Sequence, residues 1–200
     1  MAALSEAARL LRQGGLIAFP TETYYGLGVD PFNAEALQRL FAVKQRQPDK
    51  AVLLLVAGQE QVSQLAAEIP AVLQKLMNHF WPGPLTLVFP GQASLPFLLT
   101  GGTGTVGIRQ SPHPLAACLL SAFDCPITAT SANRSGAPPA TTAAEIQKSF
   151  GSAIDLILDG GTTPGGAGST LVGCDQEQQV HCLRAGQVPF GEIRKVVSGK

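Results

Sequence analysis

The stretch LIAFPTETYYGLG, Leu16 to Gly28, decides how the rest of the chain is read. It begins with an unbroken apolar run, Leu16 to Phe19, with no polar alternation. Such a run suits a strand buried on both faces, and only a sheet covered by other elements provides that burial. Pro20 ends the run. Two threonines, a glutamate and two tyrosines follow before Gly26, and no aliphatic side chain returns until Leu27. Standing alone, PTETYYGLG is explained as a strand end whose threonines cap free backbone groups. Hydroxyl, carboxylate and aromatic groups together exceed what a turn needs, which raises the question of what the stretch holds.

Working outward, the same kind of reading recurs. Leu4, Ala7, Ala8 and Leu11 share a face at helical spacing, and Gly14-Gly15 stops that helix. Asn33 is placed to cap a helix whose inner face carries Leu37, Leu40 and Phe41. AVLLLVA, Ala51 to Ala57, is a second buried strand, and a short helix is expected over 60–67. Leu73, Leu76, Met77 and Phe80 mark a helix ended by Trp81-Pro82-Gly83-Pro84. Strands are expected over 85–89, 105–109, 126–130, 154–158, 169–172 and 179–183, with 91–104 as loop. Helices are expected over 114–122 and 189–197, and Thr142-x-x-Glu145 forms a capping box for one ending near Phe150. Strands apolar on both faces, mixed with helices, give an α/β or α+β class: a mixed sheet flanked by helices. No repeat, low-complexity run or linker divides the chain, so residues 1–200 are read as a single domain.

Composition narrows the function classes. At 45% hydrophobic residues the chain can bury a core without disulfides or metal. The 14% of charged residues sum to zero formal charge, so no general attraction to nucleic acid or anionic membrane is expected. The opening MAALSEAARLLRQGG is too polar for a signal peptide, and no apolar run approaches the ~20 residues of a membrane span. Cys118, Cys125, Cys174 and Cys182 lack C-x-x-C spacing and are read as reduced and mostly packed, in a cytoplasmic protein. Gly102 to Gly107 matches G-x-G-x-x-G, but it precedes a strand instead of opening a helix, so a Rossmann site is not inferred. No metal ligand set is read; His79, His113 and His181 are scattered.

Other motifs carry more chemistry. Lys44-Gln45-Arg46 with Lys50 concentrates cations where a helix gives way to a strand. Cations suit helix C-termini in any case, yet a chain poor in charge that clusters them beside a loop is equipped for a polyanion. Thr128 to Asn133, TATSAN, packs hydroxyls and an amide just after a strand. Arg109 and Arg184 end strands, and Ser169-Thr170 starts one after a glycine-rich run. Strand ends are where open α/β sheets hold ligands.

PTETYYGLG, K-x-R with a following lysine, WPGPLT, VGIR-x-x-x-HP, TSANRSG, the ST of GST and LRAG recur in one order over nearly the whole chain. In this the chain resembles the YrdC/TsaC family, the threonylcarbamoyl-AMP synthases. The resemblance implies a twisted α/β fold with a concave basic cleft. It also implies a reaction of L-threonine, bicarbonate and ATP, with Mg²⁺ accompanying ATP. The products would be threonylcarbamoyl-adenylate and pyrophosphate, and a separate transferase complex would then use the adenylate to modify an adenosine of certain tRNAs. It assigns Thr23, Arg109, Ala129 and Ser169 to threonine. It assigns Arg46, Lys50, Thr105, Ser131 and Arg184 to ATP, and Lys44, Arg46, Ser131 and Asn133 to a catalytic signature. Lys44, Arg46 and Lys50 would offset the triphosphate's charge, Arg109 would pair with the substrate carboxylate, and Tyr25 would offer a rigid aromatic face. Leu55 stands where a longer branch of the family has histidine, and Pro139 where some relatives offer a hydroxyl. An alternative within the same resemblance is a tRNA- or double-stranded-RNA-binding, ribosome-maturation module using the same basic cleft. Steeply salt-dependent RNA binding without nucleotide binding would mark it.

Overall fold

The computed structural model of the chain describes residues 2–199; Met1 and Lys200, the ends of the expected 1–200 domain, lie outside the described residues. Helix α1 (Ala2–Arg12) leads into strand β1 (Ile17–Pro20), which folds back into strand β2 (Tyr25–Gly28). Helix α2 (Ala34–Lys44), strand β3 (Leu54–Leu55), a 3-10 segment over Gln59–Gln64, helix α3 (Ala71–Phe80) and strand β4 (Leu85–Pro90) follow. Next come the single-turn helix α4 (Phe97–Thr100), strand β5 (Thr105–Arg109), helix α5 (Pro114–Phe123) and two short strands, β6 (Ile127–Thr128) and β7 (Thr130–Ser131). Helix α6 (Ala143–Phe150), strands β8 (Leu156–Ile157), β9 (Thr170–Cys174) and β10 (Val180–Arg184), and helix α7 (Phe190–Ser198) close the described chain.

Side chains alternate across a strand, so an apolar run must feed two cores. Leu16 and Ala18 enter one cluster, and Ile17 and Phe19 enter the other. α1 and α5 cover the second cluster with Ala7, Ala8, Leu11, Leu119 and Phe123. α2 and α3 cover the first, with Leu37, Leu40, Leu73, Leu76 and Met77. Local chemistry sets the helix ends. Gly14 takes φ of +80°, a conformation that favours glycine, and Gly15 N donates back to Leu10 O at 2.8 Å. Asn33 Oδ1 accepts from Ala36 N at 3.0 Å to open α2. Thr142 and Glu145 exchange the two bonds of a capping box at the start of α6.

The described strands form two twisted mixed sheets with flanking helices, so the α/β class holds while the strands divide. One sheet has the order β7-β2-β1-β8, and the other β10-β9-β4-β5-β3-β6. β1 and β2 pair antiparallel from Ile17↔Gly28 to Pro20↔Tyr25, which makes the opening stretch a hairpin. Sequence reading did not give 25–28 as a strand, because glycine is depleted in strands. Here packing overrides that preference: a Cβ at Gly28 would lie 2.7 Å from both Ile127 and Phe19. The strand expected over 126–130 splits between the sheets, with β6 pairing β3 and β7 pairing β2. Only Leu54 and Leu55 of 51–57 join a ladder, and the loop expected over 91–104 contains α4. All four cysteines are free, but Cys118 and Cys182 are exposed instead of packed. Among the described residues, no helix is long and apolar enough to cross a membrane.

Candidate active site

The chain passes from one sheet to the other at Ala129. Val29 N donates to Thr128 Oγ1 at 2.9 Å, Thr128 N donates to Val29 O at 3.1 Å, and Ala129 N donates to Leu53 O at 2.8 Å. These bonds pin the crossing beside β3. A cleft of about 650 Å³ opens there, a size typical of ligand sites. Its walls come from both sheets: Thr21, Thr23 to Gly26 and Thr130–Ser131 on one side, and β4, β5, β9 and β10 on the other. Val88, Leu171 and Leu183 give it an apolar part, while hydroxyls and arginines give it a polar one.

Most residues nominated from the sequence meet in this cleft. Thr23, Arg46, Thr105, Arg109, Ala129, Ser131, Ser169 and Arg184 all line it. Strand ends bring them together: β5 supplies Thr105 and Arg109, β7 supplies Ser131, β9 follows Ser169, and β10 ends in Arg184. The approach of β10 to Ser169 requires glycine at position 186. A Cβ there would lie 2.3 Å from Gly168 O and 2.4 Å from Thr170 N. Arg184 Nη2 then donates to Ser169 O at 2.8 Å and to Ser169 Oγ at 3.1 Å.

Lys44, Lys50 and Asn133 are not in the lining. Lys50 is exposed, and its carbonyl accepts from Arg46 Nε at 3.0 Å. Lys44 is only 1% exposed. Its ammonium donates to Ser131 O, to Asn133 O at 2.7 Å and to Asn133 Oδ1 at 3.4 Å. A lysine has three N–H donors, and all three have partners in the 131–133 segment. Lys44, expected beside a triphosphate, lies beneath the wall, with its ammonium bonded to the segment that carries Ser131. Asn133 is spent in the same way. Its Oδ1 accepts from Ser131 Oγ at 2.6 Å, and its Nδ2 donates to Ala137 O at 2.6 Å and Arg134 O at 3.1 Å. The four signature residues still converge, two lining the cleft and two behind it.

The electrostatics favour an anion. Arg46, Arg109 and Arg184 line the cleft, and among the described residues no Asp or Glu does. Burial lowers the pKa of Arg46 and of Arg184. Burial and then the neighbouring Arg184 lower that of Arg109 to about 10. Lys44 falls to about 7, first through burial and then through Arg46. Each shift records a cation held away from water, which a bound anion would relieve. Arg109 has one carboxylate partner among the described residues, Glu22, which sits in the hairpin turn and also accepts from Ser111 Oγ. Sequence reading passed over Glu22 and Ser111, because their 87- and 89-residue separations from Arg109 and Glu22 leave no local signal.

The hairpin also fixes the glycine-rich run after β8. Tyr25 is fully buried; its hydroxyl accepts from Gly160 N at 3.0 Å and donates to Gly161 O at 2.8 Å. Tyr25 also lines the cleft, with its hydroxyl held by this tether. Tyr24, given no role from sequence, lines the cleft and donates to Gly166 O. Gly165 N donates to Thr23 O at 2.7 Å. Pro139 is also in the lining, whereas Leu55 is buried in the core under α1 and α5. His113 precedes α5, outside the lining, and its buried Nδ1 has no partner among the described residues.

Comparison with known proteins gives consistent matches. The profile of the Sua5/YciO/YrdC family, described as "Telomere recombination", matches residues 9–186. A threonylcarbamoyl-AMP synthase of Pyrococcus abyssi is 42% identical over 191 residues, which cover 96% of this chain and 56% of the relative. One from Halorhodospira halophila is 42% identical over 154 residues, covering 77% of this chain and 81% of the relative. The crystal structure of P. abyssi Sua5 complexed with L-threonine superposes with a TM-score of 0.92 at 41% identity, over 96% of this chain and 56% of that one. The chain thus spans little more than half the length of the Pyrococcus relative.

Proposed function

The chain belongs to the Sua5/YciO/YrdC family, and from that premise we propose that it is a threonylcarbamoyl-AMP synthase, a nucleotidyltransferase acting on L-threonine, bicarbonate and ATP. One observation carries the reading: three arginines and a set of strand-end hydroxyls share a cleft whose lining, among the described residues, has no carboxylate. Such a site receives an anion-rich nucleotide beside a small polar substrate. In this reading residues 1–200 act as a single domain, in the cytoplasm, and the product passes to a transferase complex that modifies tRNA.

The threonine amine captures bicarbonate as a carbamate with loss of water. A carbamate oxygen then attacks the α-phosphorus of ATP, and the bond to the leaving pyrophosphate breaks. No covalent enzyme intermediate is needed, so the protein's work is positioning and charge stabilisation. Thr23, Arg109, Ala129 and Ser169 form the threonine side, with Arg109 facing the carboxylate. Arg46, Thr105, Ser131 and Arg184 form the nucleotide side, and exposed Lys50 approaches the phosphates from the rim. Lys44 and Asn133 act from behind by fixing Ser131. Among the described residues the lining lacks the carboxylates that a resident Mg²⁺ would need, so the ion arrives on the triphosphate as part of the substrate. The test is pyrophosphate release measured with each substrate omitted in turn. Release that requires threonine and bicarbonate together supports the reading, and release indifferent to threonine refutes it.

A further inference from the structure

Glu22 occupies the turn between β1 and β2, and its carboxylate makes two contacts across the molecule. One oxygen accepts from Arg109 Nη1 and the other from Ser111 Oγ. The side chains of Arg109 and Glu22 are 6% and 13% exposed, so the pair is screened little by solvent. Ser111 is itself buried, and its Oγ also accepts from His113 N at 3.2 Å. Arg109 therefore rests on an anchored mount, not on a free carboxylate. Glu22 is absent from the cleft lining and Arg109 is present, so the carboxylate holds the guanidinium from outside the cavity that Arg109 borders. Glu22 is the one hydrogen-bond partner of the Arg109 side chain among the described residues.

From this we infer that Glu22, braced by Ser111, is a positioning residue that aims Arg109 at the carboxylate of the amino-acid substrate. The inference rests on the proposed synthase reading and deepens it by naming what orients the threonine side. A guanidinium binds a carboxylate well only in a fixed planar orientation. Arg109 also lies near Arg184, whose charge raises the cost of keeping Arg109 ionised. Without this mount the guanidinium is free to turn away from the substrate and from Arg184. Small misplacement of a substrate-orienting group is enough to lose large factors in rate or affinity. The hairpin turn, then, contributes to the same pocket twice: Thr23 lines it, and Glu22 holds its arginine.

The test is steady-state pyrophosphate release, with KM determined separately for threonine and for ATP, together with calorimetric binding of L-threonine and L-threoninamide. Glu22→Ala should raise the threonine KM about tenfold or more and leave the ATP KM within about twofold. Glu22→Gln keeps an acceptor for Arg109 and a group that can bond Ser111, so it should restore the threonine KM to within about threefold of wild type. L-threoninamide lacks the carboxylate, and Glu22→Ala should change its affinity less than about twofold. Equal loss of threonine and threoninamide binding, or parallel shifts in both KM values, would make Glu22 merely structural and overturn the inference. An unchanged threonine KM would overturn it as well. If Glu22→Ala does not fold, Ser111→Ala is the second variant; it should raise the threonine KM alone, by about threefold. Wild-type enzyme without threonine-dependent release would fail the synthase reading itself, whereas active wild type with indifferent variants fails only this inference.

Discussion

Replacing Lys44 with methionine separates a buried fastening from a phosphate-facing charge. Methionine retains most of the apolar stem, so little cavity forms, but it donates to none of the three acceptors. Ser131 O and Asn133 O then lose the ammonium in a buried setting. Two unsatisfied acceptors cost about 2–6 kcal/mol together, and removing the desolvated ammonium offsets part of the loss, leaving about 2–4 kcal/mol. For a chain of this size each kcal/mol moves the melting temperature by about 2–4 °C, so the expected drop is about 4–16 °C. The assay is thermal unfolding followed by circular dichroism. Pyrophosphate release would be measured in parallel, well below both transitions. Turnover should fall as well, because Ser131 and Asn133 lose their support. A variant melting within about 2 °C of wild type, with the ATP KM raised tenfold, would show Lys44 facing the nucleotide and refute the reasoning.

Other outcomes follow from the same geometry. Arg46→Ala removes a cleft cation and should lower turnover about 10²-fold, as loss of a charge-stabilising group does; near-normal rates would contradict the assignment. Tyr25→Phe leaves Gly160 N and Gly161 O without their shared hydroxyl, so amide exchange over 160–166 should quicken while α2 keeps its protection; unchanged exchange would show that the tether is unimportant. Thr142→Ala breaks the capping box and should cost about 1 kcal/mol in urea unfolding, with a loss below about 0.3 kcal/mol contradicting the cap's role. Lys44 has a folded pKa of about 7 against an ordinary 10.5, so the unfolded chain binds the extra proton between those values. The stability of the wild type therefore gains across that window as pH rises, and Lys44→Met loses the gain. The melting gap between the two proteins should widen from pH 7 to 9, and a constant gap would contradict the shift.

Much of this architecture is legible in the residues because burial on both faces leaves a plain trace. Leu16 to Phe19 reads as apolar without alternation, and the structure sends its side chains to two cores. The capping pairs at Asn33 and Thr142–Glu145 are local contacts and could be read directly. The glycine-bearing strand β2 was hidden because tight packing against Phe19 and Ile127, not propensity, selects its residues. The split of 126–130 between two sheets was hidden because either half suits a ladder, and only the partners β3 and β2 distinguish them. In the site, ordered motifs identified the residues that meet, but not which side of the wall each occupies. Lys44 looks like a free cation in sequence, and three acceptors brought in from 131–133 bury it. Glu22 looks like one more polar turn residue until Arg109 arrives from β5.

Mass-spectrometric detection of the product addresses the central claim most directly. The protein would be incubated with L-threonine, bicarbonate and MgATP, and the mixture analysed at once, since the adenylate hydrolyses. A species with the mass of threonylcarbamoyl-adenylate, absent when any one substrate is omitted, is the predicted result. Wild-type protein that consumes no ATP under these conditions, or that forms AMP and pyrophosphate equally well without threonine, would contradict the account.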